Sequence, residues 1–348
     1  MTMLRYAGIL IFWILLAALL YWVRKQKNVV FWPLLALAGL LAFNLASTEQ
    51  FYRLDWREGH LYGVPVDIIN HASKVGILAI GMTLVIAVEG IDLSVGAVMA
   101  IAGAMMATLT RQHDVAPAYC VLAALGLGLA AGVWNGFLVA VMGIPPMVGT
   151  LILMVAGRGV AQLITDGQII IFNNPVLTYI GNGFLVIPFP FILMLALFAL
   201  TWLFTRKTAV GFMIEAVGDN EVASSRAGIS ARSIKFLAYV FCGLCAAIAG
   251  LVQTSNIRSA DANNIGLYLE LDAIMSVVIG GTSMMGGRFY LASSVIGAIL
   301  IQALTTTMYA KSVSPVVAPV FKALVILLVC VLQSERVKRR LAARHQTA

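Results

Sequence analysis

The sequence predicts an all-α, polytopic helical membrane protein with about ten to eleven transmembrane helices. Three observations carry this expectation. Of the 348 residues, 61% are hydrophobic and 11% are charged, against roughly a quarter charged in a soluble domain. Lipid rather than water must then cover most of the outer surface. Apolar runs close to the ~20 residues that cross a bilayer recur along the whole chain. Lys and Arg gather between those runs rather than inside them, as they do in loops held on the cytoplasmic side.

The runs fall at 7–23, 29–46, 67–88, 94–110, 116–141, 147–164, 188–205, 233–254, 266–281, 289–310 and 315–333. The first lacks a small-residue cleavage site and is followed at once by Arg24, Lys25 and Lys27. It therefore reads as a retained helix stopped by positive charge, not as a secretory signal. Three regions result: an N-terminal helix with a basic loop at 1–28, a main domain at 29–335, and a basic tail at 336–348. Arg206 and Lys207, the stretch through Arg226, Arg232 and Lys235, and the tail residues Arg336, Lys338, Arg339 and Arg340 all fall on the side of the Arg24 cluster when spans are counted. The N-terminus is then expected in the periplasm and the C-terminus in the cytoplasm. The net charge of +8 belongs to these loops. No basic patch with interleaved aromatics points to nucleic acid.

Between the runs lie three informative loops. The outer ones, 47–66 and 165–187, are polar and aromatic; each reads either as a surface for an external partner or as a re-entry loop with interfacial Trp and Tyr. The inner one, 206–232, holds small and polar residues punctuated by Gly218 and Gly228, which predicts a short surface helix between them. Two runs are broken by glycine, near 88–94 and 280–288. Their surroundings, 83–104 and 276–298, echo each other loosely, and both hairpins point the same way by span count. A duplicated broken-helix unit and chance similarity between Gly-rich segments both remain open.

The first break, Gly90-Ile91-Asp92-Leu93-Ser94, places a carboxylate in an apolar setting. Asp92 should face protein or water and can cap the helix that starts near Ser94; a structural cap and a break that shapes a pathway are compatible readings. The second break carries Gly280, Gly281, Thr282 and Ser283, then Gly286-Gly287-Arg288. Neither it nor any other site is a phosphate-binding loop, because the chain contains no Gly-Lys dipeptide. Gly128, Gly132 and Gly136 are spaced by four and form a smooth groove for another helix, from this chain or a second subunit. Lys74, Glu89, Arg158, Glu270, Asp272 and Lys322 are the remaining intramembrane charges, and Arg158 should pair with a carboxylate or backbone carbonyls. Cys242-x-x-Cys245 lies in an apolar helix and reads as packing rather than redox chemistry. The four histidines, His60, His71, His113 and His345, have no metal-ligand spacing, and neither metal nor cofactor is expected.

Two long motifs, GMTLVIAVEGIDLSVGAVMAIAGA and LELDAIMSVVIGGTSMMGGR, with the inner loop IEAVGDNEVASSRAGI, resemble the permease subunits of the ribose/galactose/xylose class of bacterial ABC sugar importers. The likeness runs from about 65 to 335. GVPVDII (63–69), TLILMVAGRGVAQLIT (150–165) and ADANNIGLYLELDAI (260–274) are similar to the galactofuranose branch of that class. The resemblance implies an inner-membrane subunit with no catalytic residue of its own. It implies a cytoplasmic ABC ATPase, a second and related permease chain, a periplasmic sugar-binding protein and a monosaccharide substrate. It also assigns Glu215, Gly218, Asn220, Ala223 and Gly228 to the element on which the ATPase docks. The chain departs from the pattern at Val88-Glu89, where small residues are usual, and in the extra helix at 7–23. An ion-coupled sugar carrier using Glu89, Asp92 and Arg158 is the competing expectation.

Overall fold

A computed structural model describes residues 29–47, 51, 54–57, 59–314, 316–317, 319–324 and 327. The expected span at 7–23, most of that at 315–333, and the tail 336–348 lie outside them. The described residues form helices α1 (Phe31–Ser47), α2 (Val64–Ala87), α3 (Val95–Gln112), α4 (Pro117–Gly136), α5 (Pro146–Ile164), α6 (Pro175–Asn182), α7 (Phe189–Lys207), α8 (Ala209–Asp219), α9 (Glu221–Arg226), α10 (Ala231–Ile257), α11 (Leu269–Ile279) and α12 (Leu291–Ala310). A π-helical turn, Phe137–Val141, extends α4. Four short strands complete the set: β1 (Asp55–Arg57) pairs β2 (His60–Tyr62), and β3 (Ile170–Ile171) pairs β4 (Ser259–Ala260).

Among the described residues, six helices are long and apolar enough to cross a bilayer: α2, α4 with its π turn, α5, α7, α10 and α12. They divide by burial. The apolar window of α2 is 78% buried within the protein, whereas those of α5 and α7 are 22% buried. Hence α2, α10 and α12 form the centre, with α3 enclosed beside them, while α5 and α7 present Val155, Leu163, Leu200 and Phe204 outward. In water such apolar faces would be unstable; in lipid they are ordinary.

The expected glycine groove on α4 exists and is filled by α10 of the same chain. Gly128 faces Gly243 and Ala247, Gly132 faces the backbone of Tyr239 and Val240, and Gly136 faces Phe236. Missing side chains let the two helices approach closely, and dispersion contacts then hold them without a hydrophobic driving force. Cys242 and Cys245 are buried free thiols on the same helix, and Cys245 lies against Gly81 of α2.

Two ends of the bundle differ. At one, here called the hairpin end, the expected loops acquire structure of their own. Within 47–66, Asp55–Arg57 and His60–Tyr62 pair as β1 and β2, and 165–187 contain β3 and α6. Asn174 caps α6 by accepting from Val176 N and Leu177 N. The two loops meet: the His60 ring stacks on Phe184 with centroids 5.1 Å apart. Lys311 donates to the Ser47 carbonyl at the same end, and Asn182 donates to the carbonyls of Ser255 (2.9 Å) and Asn256 (3.0 Å). At the opposite end lie both glycine breaks and helices α8 and α9.

The run at 266–281 is shorter as a helix than expected. Gly266 and Tyr268 both have positive φ, so helix begins only at Leu269 and ends at Ile279. Eleven residues span about 16 Å at 1.5 Å each, roughly half the bilayer core. The free carbonyls before it need partners, and Arg158 Nη1 supplies them, donating to Ala262 O (3.1 Å) and Ile265 O (2.5 Å). Of the two partners expected for Arg158, the backbone is the one found.

Contact across the α4–α10 groove should set stability. A Cβ at Gly132 would sit 2.6 Å from Tyr239 O and 2.7 Å from Val240 Cα. Gly132→Ala should therefore cost about 1–3 kcal/mol through overpacking and lower the thermal unfolding midpoint in detergent. Gly126→Ala on the same helix, with open space around it, should leave the midpoint unchanged or raise it.

Candidate functional site

Three segments far apart in sequence meet at the end of the bundle opposite the hairpin: the end of α2, the end of α8, and the loop between α11 and α12. They meet backbone to backbone. Gly287 N donates to Ala87 O at 2.9 Å. Gly218 packs on both of these groups, and a Cβ there would overlap the Ala87 carbonyl oxygen and lie 2.5 Å from Gly287 N. Gly286 faces the Gly218 carbonyl, where a Cβ would stand 2.5 Å from the oxygen. Gly286 and Gly287 also hold φ values of 77° and 90°, conformations that L side chains resist. No Cβ fits between the backbones at Gly218 or Gly286, so the three segments are held in direct backbone contact.

The first break leaves the junction and turns back into the protein. Val88 ends α2, and Glu89 turns the chain with φ 60°. Gly90 passes beside the Tyr239 hydroxyl. Asp92 follows, 1% exposed, and its Oδ1 accepts from Ser94 N (2.9 Å), Ser94 Oγ (2.7 Å) and Asn135 Nδ2 (3.2 Å). Asn135 also donates to Ser94 Oγ at 2.8 Å. The expected cap is thus displaced by one position: Asp92 holds the N–H of Ser94, the residue flanking α3, rather than N–H groups of the first turn. Thr150 of α5 closes the other side, accepting from Leu93 N (3.2 Å), with its hydroxyl within reach of both Pro146 O (2.9 Å) and Ile91 O (3.3 Å). The break therefore joins α2, α3, α4 and α5 through polar contacts.

Glu89 does not share that interior. It is exposed, and its side chain lies over Gly286. The extra charge sits at the surface of the junction, and the buried geometry around Asp92 contains no second carboxylate at this point.

The second break is the junction's other arm. Gly280 packs on the backbone of Ser293 and Ser294 in α12, and Gly281 lies against Val29. Thr282 Oγ1 accepts from Tyr290 N (3.2 Å), and Ser283 Oγ accepts from Met285 N (3.1 Å). These hydroxyls shape the loop. Met285 at its tip is 79% exposed.

The inner loop contains the expected surface helix, α9, preceded by the longer α8. Asn220 ends α8 and caps α9, its Oδ1 accepting from Ala223 N at 2.8 Å. Ser224 Oγ donates to Ala216 O (2.7 Å), and Lys235 pairs with Glu221 (2.6 Å). One side of α9 is thereby fixed to α8 and α10, while Val222 and Ala223 remain exposed. Phe212 of α8 is 71% exposed. Glu215 is half-buried on α8, and Gly228 reverses the chain after α9 with φ 86°. The arrangement exposes Phe212, Val222 and Ala223 among polar residues and is continuous through Gly218 with both breaks. It carries no catalytic constellation, and among the described residues no group of His, Cys, Asp or Glu could hold a metal.

Sequence reasoning found each segment but not their meeting. The signal was present: span counting put all three on one side, and all three carry glycine. Asn135 and Thr150, which complete the Asp92 site, gave no signal, because a lone Asn or Thr in an apolar run is ordinary.

Residues 64–330 match the family described as branched-chain amino acid transport system, permease component. The chain is 53% identical over 311 residues to the galactofuranose transporter permease of Escherichia coli, covering 88% of this chain and 91% of that one. It is 40% identical over 314 residues to the fructose import permease of Bifidobacterium longum, covering 88% of each. With the ribose import permease of Escherichia coli the identity is 33% over 320 residues, 90% of this chain and 95% of that one. No solved structure matches the chain significantly.

Loss of the shared acceptor should be felt strongly. Asp92→Leu strands Ser94 and Asn135 donors in a buried site and should cost about 2–4 kcal/mol, read as a lower unfolding midpoint in detergent. Asp92→Asn keeps an acceptor oxygen and should lose far less. Equal midpoints for the two variants would contradict this account of the site.

Proposed function

The chain belongs to the branched-chain amino acid transport system permease family, and on that premise we propose that it is the membrane subunit of an ATP-driven importer that carries galactofuranose or a related monosaccharide from periplasm to cytoplasm. The sugar is inferred from the relatives, which are named for galactofuranose, fructose and ribose. The closeness of the first supports a furanose substrate.

One observation carries the mechanism: α8–α9 is joined to both breaks through the backbone at Gly218. In the proposed arrangement this end faces the cytoplasm, as the positive loops predict, and so does the C-terminus. A separate ATPase seats the exposed face formed by Phe212, Val222 and Ala223. When ATP binding closes that partner, α8–α9 is displaced. A side-chain contact could yield to such a push by changing rotamer; the contact among Ala87, Gly218 and Gly287 has no side chain to yield. The displacement therefore passes to the end of α2 and to the α11–α12 loop, and from the first break to α3, α4 and α5 through Asp92, Asn135 and Thr150. Gly90, Asp92 and Ser94, with Gly280, Gly281, Thr282 and Ser283, are the hinges of this transmission rather than sugar ligands. The second permease chain covers the apolar outward face of α5. A periplasmic sugar-binding protein docks at the hairpin end.

An ion-coupled carrier needs a charge free to bind and release its ion. Glu89 is exposed, Arg158 is held on two carbonyls, and Asp92 is held by Ser94 and Asn135. The motive for that reading is correspondingly weak.

Gly218→Val tests the coupling. In vesicles holding the complete importer, ATP-dependent sugar uptake should fall by at least about tenfold, in the range of typical coupling energies, with the protein still inserted at its normal level. Unchanged uptake would remove the coupling role. Uptake by this chain alone, driven by an ion gradient, would favour the carrier.

A further inference from the structure

At the hairpin end, the turn between β4 and α11 gathers several hydrogen-bonding side chains. Asp261 organises it. Its Oδ1 accepts from Asn263 N (3.0 Å) and Asn264 N (3.2 Å), and its Oδ2 accepts from Asn264 Nδ2 (2.6 Å). Burial alone would raise the Asp261 carboxyl, but the asparagine hydrogen bonds and nearby Arg158 outweigh it and hold it below the usual carboxylate range. Across the turn, Gln162 of α5 donates to Asn263 Oδ1 at 2.6 Å. Arg158, one turn earlier on that helix, is anchored to the carbonyls of Ala262 and Ile265.

Most of these groups keep hydrogen-bonding capacity in reserve. Among the described residues, Asn263 Nδ2, Gln162 Oε1 and Asn264 Oδ1 have no partner, and all three side chains are exposed. Tyr268 stands beside them in the chain, 61% exposed, with φ 62°. A bulky aromatic in left-handed backbone is unusual, and strain of this kind concentrates at functional sites. Folding alone would be served better by Gly or Asn at that position. Gly159 lies on the same face of α5 as Gln162, and nothing stands over it.

We infer that Arg158, Gln162, Asp261, Asn263, Asn264 and Tyr268 form this chain's share of a monosaccharide-binding site at the periplasmic mouth of the pathway. The chemistry favours a sugar over other small solutes. Adjacent hydroxyls each donate and accept, so they suit planar amide, carboxylate and guanidinium groups fixed in orientation. An exposed aromatic ring offers an apolar plate to the C–H face of the sugar with a polar tip at its edge. The site lies where α5 is uncovered, so the second permease chain would supply the opposite wall. Its work is retention. Sugar released by the binding protein must be kept from escaping back outside while the pathway changes state, and weak contacts at the mouth suffice for that.

This inference rests on the importer reading, and the test separates the two. The complete importer is reconstituted in vesicles with saturating binding protein loaded with labelled galactofuranose, and sugar delivered per ATP hydrolysed is measured. Asn263→Ala and Tyr268→Gly should lower that ratio by at least about tenfold, the scale of one or two lost substrate hydrogen bonds, while ATP hydrolysis stays within about twofold of the parent. Tyr268→Phe, which keeps the ring, should retain most of the ratio. An unchanged ratio in both variants, or a parallel fall in uptake and hydrolysis that marks a merely structural role, would overturn the site while leaving the importer standing. Absence of ATP-dependent uptake in the parent would overturn the importer reading and the site with it.

Discussion

The carbonyl of Ala87, the α-carbon of Gly218 and the amide of Gly287 occupy one place, and the rest of the structure is arranged around their contact. A residue larger than glycine at 218 would push α8 away from α2. It would also break the 2.9 Å bond between Gly287 and Ala87, because both partners border the same small volume. Backbone contacts of this kind are stiff. Side chains relax by changing rotamer, at little cost, whereas a helix end moves only with its helix. Force applied to α8–α9 must therefore appear elsewhere.

Where it appears follows from the polar groups. In a bilayer interior each unsatisfied polar group is costly, and charged groups beside the irregular segments have partners. Arg158 closes the carbonyls ahead of the short helix α11. Lys322 reaches back across the chain to Asp272 at 2.9 Å, pinning the helical residues 319–324 to α11. Asp92 and Asn135 join the first break to α3 and α4. These contacts do more than remove a penalty. Each links a half-helix or a break to a full-length neighbour, so the irregular segments move with specific helices rather than independently. Burial reinforces the division: α2, α10 and α12 are enclosed and can transmit, while α5 and α7 expose apolar faces to lipid or to a second chain.

Much of this was legible in the sequence, for reasons that can be stated residue by residue. The long spans follow from runs of apolar residues. Asn220 before Glu221 and Gly228 after Arg226 bracket α9 in the usual manner of caps. The groove at Gly128, Gly132 and Gly136 follows from spacing, but spacing could not say that α10 fills it. The half-length of α11 was hidden because Tyr268 gives no sign of left-handed backbone. Asn135, Thr150 and the Gly218 contact were invisible for a common reason: each depends on the approach of segments more than forty residues apart, and a single sequence records composition, not distance.

The central claim is that α8–α9 and the glycine loop before α12 move as one body. Spin labels at Val222 and Met285, both exposed, measure it in the complete importer by pulsed electron resonance. Between the nucleotide-free and ATP-bound states their separation should stay constant to within about 2 Å, the scale of helix shifts at interfaces, while the separation from Val222 to Val186 at the hairpin end changes by more. A change between positions 222 and 285 as large as that between 222 and 186 would contradict the account.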